Sequence, residues 1–287
     1  MNSDWNEPRT QSLEDVGAAQ RLQEFQLGWF ADPIFFGDYP NSMKKNIGSR
    51  LPTFTEKEKQ LLKGSADFLG INGYTSRYVS NETVEREGFQ KDSQASQYTT
   101  DIHGNLIGEL AYPEWLYIVP WGMRKLINWS FRRYRVPIYI TENGVAEINN
   151  PNIPIQIAIK DDHRIKYYKA YINEIFKSIQ DGSIVKGYMA WSLMDNFEWT
   201  DGYSARFGIH YVDFNNLTRI QKSSAKWWKN ELSYQNNEMS FWNQLEIFIW
   251  ISLIATITIV LFSVIIFFIV VALNGSLGQP KDFEALQ

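Results

Sequence analysis

A parallel α/β fold of barrel type is predicted by three observations. Three short apolar runs, DFLGINGYTS (67–76), PIYITENG (137–144) and VKGYMAWSLMDNFEW (185–199), read as buried strands. Helical patterns separate them. Each run ends in polar or charged groups, so chemistry collects at the C-terminal ends of the strands, as in a (β/α)8 barrel. A complete barrel needs eight strands and three are visible. The body is therefore an open α/β sheet or part of a barrel. A last run, 248–273, carries no charge and predicts one transmembrane helix. At about 1.5 Å per residue it is long enough to cross a hydrocarbon core of roughly 30 Å.

In chain order, 13–31 places Val16, Ala19, Leu22, Phe25 and Trp29 at helical spacing, with Glu14 and Asp15 suiting the first turn. TEKEKQLLK (55–63) predicts a short helix with Thr55 as cap and Glu58 three residues on. After the first strand, 79–112 is polar and predicts a long surface insertion. A helix is predicted over 113–134, broken by Pro120, and an amphipathic one over 161–182, closed by Gly182. The implied divisions are a body at 1–232, a linker at 233–247, the span at 248–273 and a tail at 274–287.

Composition narrows the chemistry. The 287 residues carry a net charge of −4, which points away from a nucleic-acid partner. There is no Cys, so disulfides and thiolate catalysis are excluded. The three His (His103, His163 and His210) are scattered, which disfavours a His-rich metal site. Aromatic residues make up 15%, with 11 Trp and 15 Tyr. That excess suits either a large aromatic core or flat surfaces on which sugars stack.

Glu142, in Tyr139-Ile140-Thr141-Glu142-Asn143-Gly144, is a carboxylate at the end of a buried strand. Held among hydrogen-bond donors it stays ionised and can serve as a nucleophile. WSLMDNFEWTDGYSARFG (191–208) mixes Trp191, Glu198, Trp199 and Phe207, acids beside stacking plates, which is the make-up of a sugar subsite.

These stretches, with NSDWNEP, FQLGWFADPIFFGDYP, PWGMRKLINW and KGYMAWSLMDNFEWTDGYSARFGIHYVDF, together resemble glycoside hydrolase family 1 from about Asn2 to Trp228. The family comprises retaining β-glucosidases, β-galactosidases, lactases and klotho-like relatives. The resemblance implies the C-terminal part of a TIM barrel, about strands six to eight. It implies that Glu142 is the nucleophile and that Asn72 and Tyr74 position it. It implies further that Glu198 and Trp199 contact the glycone hydroxyls, that Trp191 is the platform under that sugar, and that Phe207 forms a pocket wall. Gly73 departs from the family, where an aromatic is common. The substrate implied is a β-linked glycoside, with no cofactor and no metal, because two carboxyl groups suffice.

A retaining mechanism needs a second carboxyl group about 5–5.5 Å from the first. Asn6-Glu7-Pro8 imitates an acid/base motif, but only six residues precede Glu7, too few for a buried strand. NSDWNEP instead resembles the family segment after the fifth strand. The acid/base is then expected in a missing N-terminal half, leaving this chain alone inactive. The alternative is a catalytically inactive, klotho-like membrane binding protein or co-receptor. Location is expected to be single-pass in a lipid bilayer through 248–273. The body lies outside or in the lumen if a signal peptide precedes it, and the protein is tail-anchored otherwise.

Overall fold

The structure, a computed structural model, describes residues 1–82 and 88–231. Its elements follow from local sequence. β1 (Trp5–Pro8) leads to α1 (Leu13–Gln23), whose N-cap Ser12 accepts from the Asp15 amide. A π-helical turn (Glu24–Gly28) links it to α2 (Trp29–Phe36). The apolar spacing locates this helix, but its two outer markers, Val16 and Trp29, remain partly exposed, at 42% and 38%. α3 (Glu56–Leu62) begins with the expected capping box of Thr55 and Glu58.

β2 (Leu69–Asn72) is followed by β3 (Ser76–Asn81) and β4 (Ala95–Tyr98). The last two lie where the sequence predicts a polar insertion. They form strands because Val79 and Ala95 pack on Ala18, Ala19 and Leu22 of α1. β1 pairs parallel with β3, and β3 antiparallel with β4. α4 spans Pro120–Tyr134. Pro120 starts this helix instead of breaking it, since the first helical turn needs no proline N–H.

β5 (Ile138–Asn143), α5 (Asp162–Gln180) and β6 (Val185–Ala190) complete the frame. The strand expected to run to 199 stops at Ala190. From there the backbone turns to bond residues 207–210: the Ser192 amide donates to the Phe207 carbonyl and the Asp195 amide to that of His210.

The central sheet has the order β2-β5-β6, all parallel. Leu69, Ile71, Ile138 and Ile140 bury alternate positions of its first two strands. Residues 1–3 occupy the place beside β2: the Asn72 amide donates to the Met1 carbonyl and the Ser3 amide to that of Asn72. These parallel staves with covering helices are consecutive pieces of a barrel.

The membrane reading is corrected. Among the described residues no helix is long and apolar enough to cross a membrane. The segment 248–273, which carried the transmembrane helix and the single-pass location, lies outside the described residues, as do the linker at 233–247 and the tail at 274–287.

Candidate active site

The C-terminal ends of β2, β5 and β6 converge on one cavity of about 710 Å³. Its lining brings together all seven residues singled out from the sequence: Asn72, Tyr74, Glu142, Trp191, Glu198, Trp199 and Phe207. Register shifts at Ile71/Asn72 and Ile140/Asn143 set Asn72 opposite Glu142 and Asn143 opposite Ala190. Such irregularities re-aim side chains at a strand end.

The Tyr74 hydroxyl donates to Glu142 Oε2 at 2.7 Å. Burial, then that bond to a carboxylate, pushes the phenol far above its ordinary range, so it remains a donor. Phe207 and Trp115 meet the Tyr74 ring edge-on, with centroids 6.1 and 5.9 Å away. Behind the ring, Asp4 Oδ1 accepts from the Tyr74 and Thr75 amides at 3.1 and 3.0 Å. Asn72 Oδ1 accepts from the Thr141 hydroxyl at 2.6 Å.

Glu198 is a different kind of acid. It is 6% exposed, and its Oε1 has no hydrogen-bond partner. Its Oε2 accepts a long bond of 3.5 Å from Trp191 Nε1. Burial raises its pKa, the long Trp191 bond opposes the shift, and the nearby Glu142 charge adds to it. A buried carboxyl oxygen with no partner is costly in the absence of a ligand hydroxyl. Trp199 is 83% exposed at the rim. The sequence-derived residues thus occupy one site, but Trp199 is not packed under anything described.

Two devices hold these ends in place. A Cβ on Gly144 would lie 1.9 Å from the Trp191 carbonyl oxygen, so only glycine lets β5 leave this close to the end of β6. The loop carrying Glu198 is anchored by Asp195, which accepts from Arg206 at 2.5 Å, from Lys222 at 3.0 Å and from the Gly208 and Val212 amides. Lys222 also bonds Glu147 at 2.7 Å. Burial lowers the Lys222 pKa, and the neighbouring Arg164 charge lowers it further.

Sequence reasoning missed the cavity's outer wall. Trp29 stacks on Phe30 at 5.2 Å and faces Phe89 at 6.5 Å. Trp29 reads as one point of a helix stripe, and Phe89 sits in a polar stretch. Asp4 was equally invisible, because its partners lie some seventy residues away. Glu7 lines none of this cavity; it accepts from Lys125 at 2.8 Å and from Trp5 Nε1 at 2.6 Å. It is a salt-bridged residue of the half-buried strand β1, where the sequence predicts no buried strand.

Comparison with known proteins matches residues 1–238 to the model of glycosyl hydrolase family 1. Beta-glucosidase 34 of rice (Oryza sativa subsp. japonica) is 49% identical over 235 residues, covering 80% of this chain and 46% of the relative. Beta-glucosidase 42 of Arabidopsis thaliana is 47% identical over 234 residues, covering 79% and 47%. Among solved structures, a rice β-glucosidase mutant in covalent complex with Glc aligns with a TM-score of 0.77 at 47% identity, covering 80% of this chain and 49% of that one. β-Glucosidase 2 of Trichoderma reesei, in complex with Tris, gives 0.77 at 42%, covering 82% and 51%. The chain spans about half the length of the curated relatives it matches. It resembles β-glucosidases along nearly all of its described length. On the family match and these identities, the chain belongs to glycosyl hydrolase family 1.

Proposed function

We propose that this protein is the nucleophile-bearing part of a retaining β-glycosidase, with Glu142 attacking the anomeric carbon of a β-linked glycoside. The observation that carries the reading is the 2.7 Å bond from the Tyr74 hydroxyl to Glu142 Oε2, at the floor of a cavity that also holds Glu198 and Trp191. In that mechanism the carboxylate displaces the aglycone and forms a covalent glycosyl ester, which water then opens. Tyr74 fixes the attacking carboxylate and moderates its charge, and Asn72 lies opposite it in the sheet. Glu198 accepts from glycone hydroxyls, for which its unpartnered Oε1 is suited. Trp191 and Trp199 supply stacking surface, and Phe207 backs Tyr74. The rice relative captured covalently with Glc makes a glucoside the first substrate to try.

Departure of an ordinary aglycone needs a proton, and an acid contributes roughly 10²–10⁴ in rate. Of the other carboxyl groups lining the cavity, Asp4 is committed to two amides, Glu198 is assigned to the glycone side, and Asp201 lies in the single helical turn Trp199–Asp201. We infer that the acid comes from the half of the family's length that this chain does not match.

The test therefore uses a leaving group that needs no acid. Incubation with 2,4-dinitrophenyl 2-deoxy-2-fluoro-β-glucoside is expected to add one fluoroglucosyl group to the intact mass. The α-anomer and the Glu142→Gln variant are expected to add none. Equal labelling of Glu142→Gln would remove Glu142 from its role.

A further inference from the structure

The helix behind the site carries three tyrosines, Tyr167, Tyr168 and Tyr171, each at most 2% exposed. They cluster on one face, and Tyr167 and Tyr171 stack with centroids 4.2 Å apart. A buried hydroxyl needs a partner, and these find theirs on the backbone of the site. The Tyr171 hydroxyl donates to the Tyr74 carbonyl at 3.0 Å and accepts from the Val119 amide at 3.0 Å. The Tyr167 hydroxyl donates to the same Tyr74 carbonyl at 3.4 Å and accepts from Asn143 Nδ2 at 2.8 Å. The Tyr168 hydroxyl donates to the Trp191 carbonyl at 3.4 Å.

Asn143, fully buried beside Glu142, closes the set. Its amide also donates to the Gly73 carbonyl at 2.8 Å and accepts from Tyr188 at 2.7 Å. One helix face therefore reaches the exits of β2, β5 and β6 together. The joint on Tyr74 is double, and Tyr74 is the residue whose own hydroxyl holds Glu142.

We propose that Tyr167 and Tyr171 of α5 are positioning residues that, through the Tyr74 carbonyl and Asn143, hold the Tyr74 hydroxyl on the Glu142 carboxylate. The inference rests on the proposed role of Glu142. Neither tyrosine lines the cavity, so neither acts on substrate. Both phenols are pushed well up by burial, so they stay protonated and able to donate. Loss of one hydroxyl lets the 73–75 backbone shift and carries the Tyr74 ring with it. A misplacement of about 1 Å at a reacting group costs up to roughly 10²-fold.

The test compares the full chain with Tyr167→Phe, Tyr171→Phe and Ile175→Val, the last a packing control on the same helix. The first readout is hydrogen exchange of peptides covering 72–76 and 142–145. The second is the capture rate with the dinitrophenyl 2-fluoroglucoside, as rate constant and saturation constant separately. Both tyrosine variants are expected to exchange faster at 73–75. Their capture rate constants are expected to fall about 10- to 100-fold with little change in the saturation constant, and Ile175→Val to change neither.

Tyrosine variants that lower Tm as Ile175→Val does, but leave exchange at 73–75 and capture unchanged, would overturn the proposal. If the unsubstituted chain is never captured, the reading of Glu142 has failed, and exchange alone decides: faster exchange in the variants upholds the pinning and unchanged exchange refutes it.

Discussion

Glu142 and Glu198 share one cavity, yet their surroundings set them apart. Glu142 accepts from a phenol, whereas Glu198 keeps one buried oxygen without a partner. Burial raises the Glu198 pKa above its ordinary 4.5, so the folded protein binds that proton more tightly than the unfolded chain does. Ionising the group then lowers stability as pH climbs above about 4.5. Glu198→Gln is expected to raise Tm relative to the parent at pH 7 and to raise it less at pH 4. Thermal scans at both pH values check this, and an equal difference at both would contradict it. The same substitution is expected to weaken binding of a glucose-configured inhibitor, because the unpartnered oxygen is the acceptor lost. Glu142 and Glu198 were legible in sequence because carboxylates after apolar strands stand out. Asp4 was not, since nothing in Asn2-Ser3-Asp4-Trp5 reveals that its carboxylate will cap the Tyr74 and Thr75 amides.

Strands and helices were legible where the local signal is self-contained. Thr55 and Glu58 announce α3 from four residues, and Ile138 to Asn143 announce β5. They were misread where tertiary contact decides. β3 and β4 owe their existence to α1, and the loop after Ala190 to bonds with 207–210, neither of which a period can reveal. Pro120 looked like a break because its position relative to the helix start was unknown. The exits of β5 and β6 depend on a single missing side chain. Gly144→Ala would set a Cβ 1.9 Å from the Trp191 oxygen, so one exit must move. The variant is expected to keep its far-ultraviolet circular dichroism while its capture rate falls roughly 100-fold. Capture within a factor of two of the parent would show that the exits tolerate a shift.

At the scale of the molecule, the site is a rim of strand ends braced from two sides. One brace is the tyrosine face of α5. The other is the buried charge network of Asp195, Arg206, Lys222 and Glu147. Lys222 is fully buried, and removing it leaves acids uncompensated in the interior. Lys222→Met is expected to cost about 3–5 kcal/mol, measured by urea unfolding. A cost below about 1 kcal/mol would mean that Arg206 alone satisfies Asp195. The partial barrel was readable from three strands and their polar exits, and the family from its ordered motifs, while the location read from 248–273 did not stand. The proposed chemistry of the cavity turns on Glu142 as the group that would bond to the sugar. The decisive measurement is a peptide map with fragmentation of the chain after reaction with the 2-fluoroglucoside. The predicted result is a single adduct within 138–143, on Glu142. An adduct on Glu198, Asp4 or Asp201, or on no carboxylate of the cavity, would contradict it.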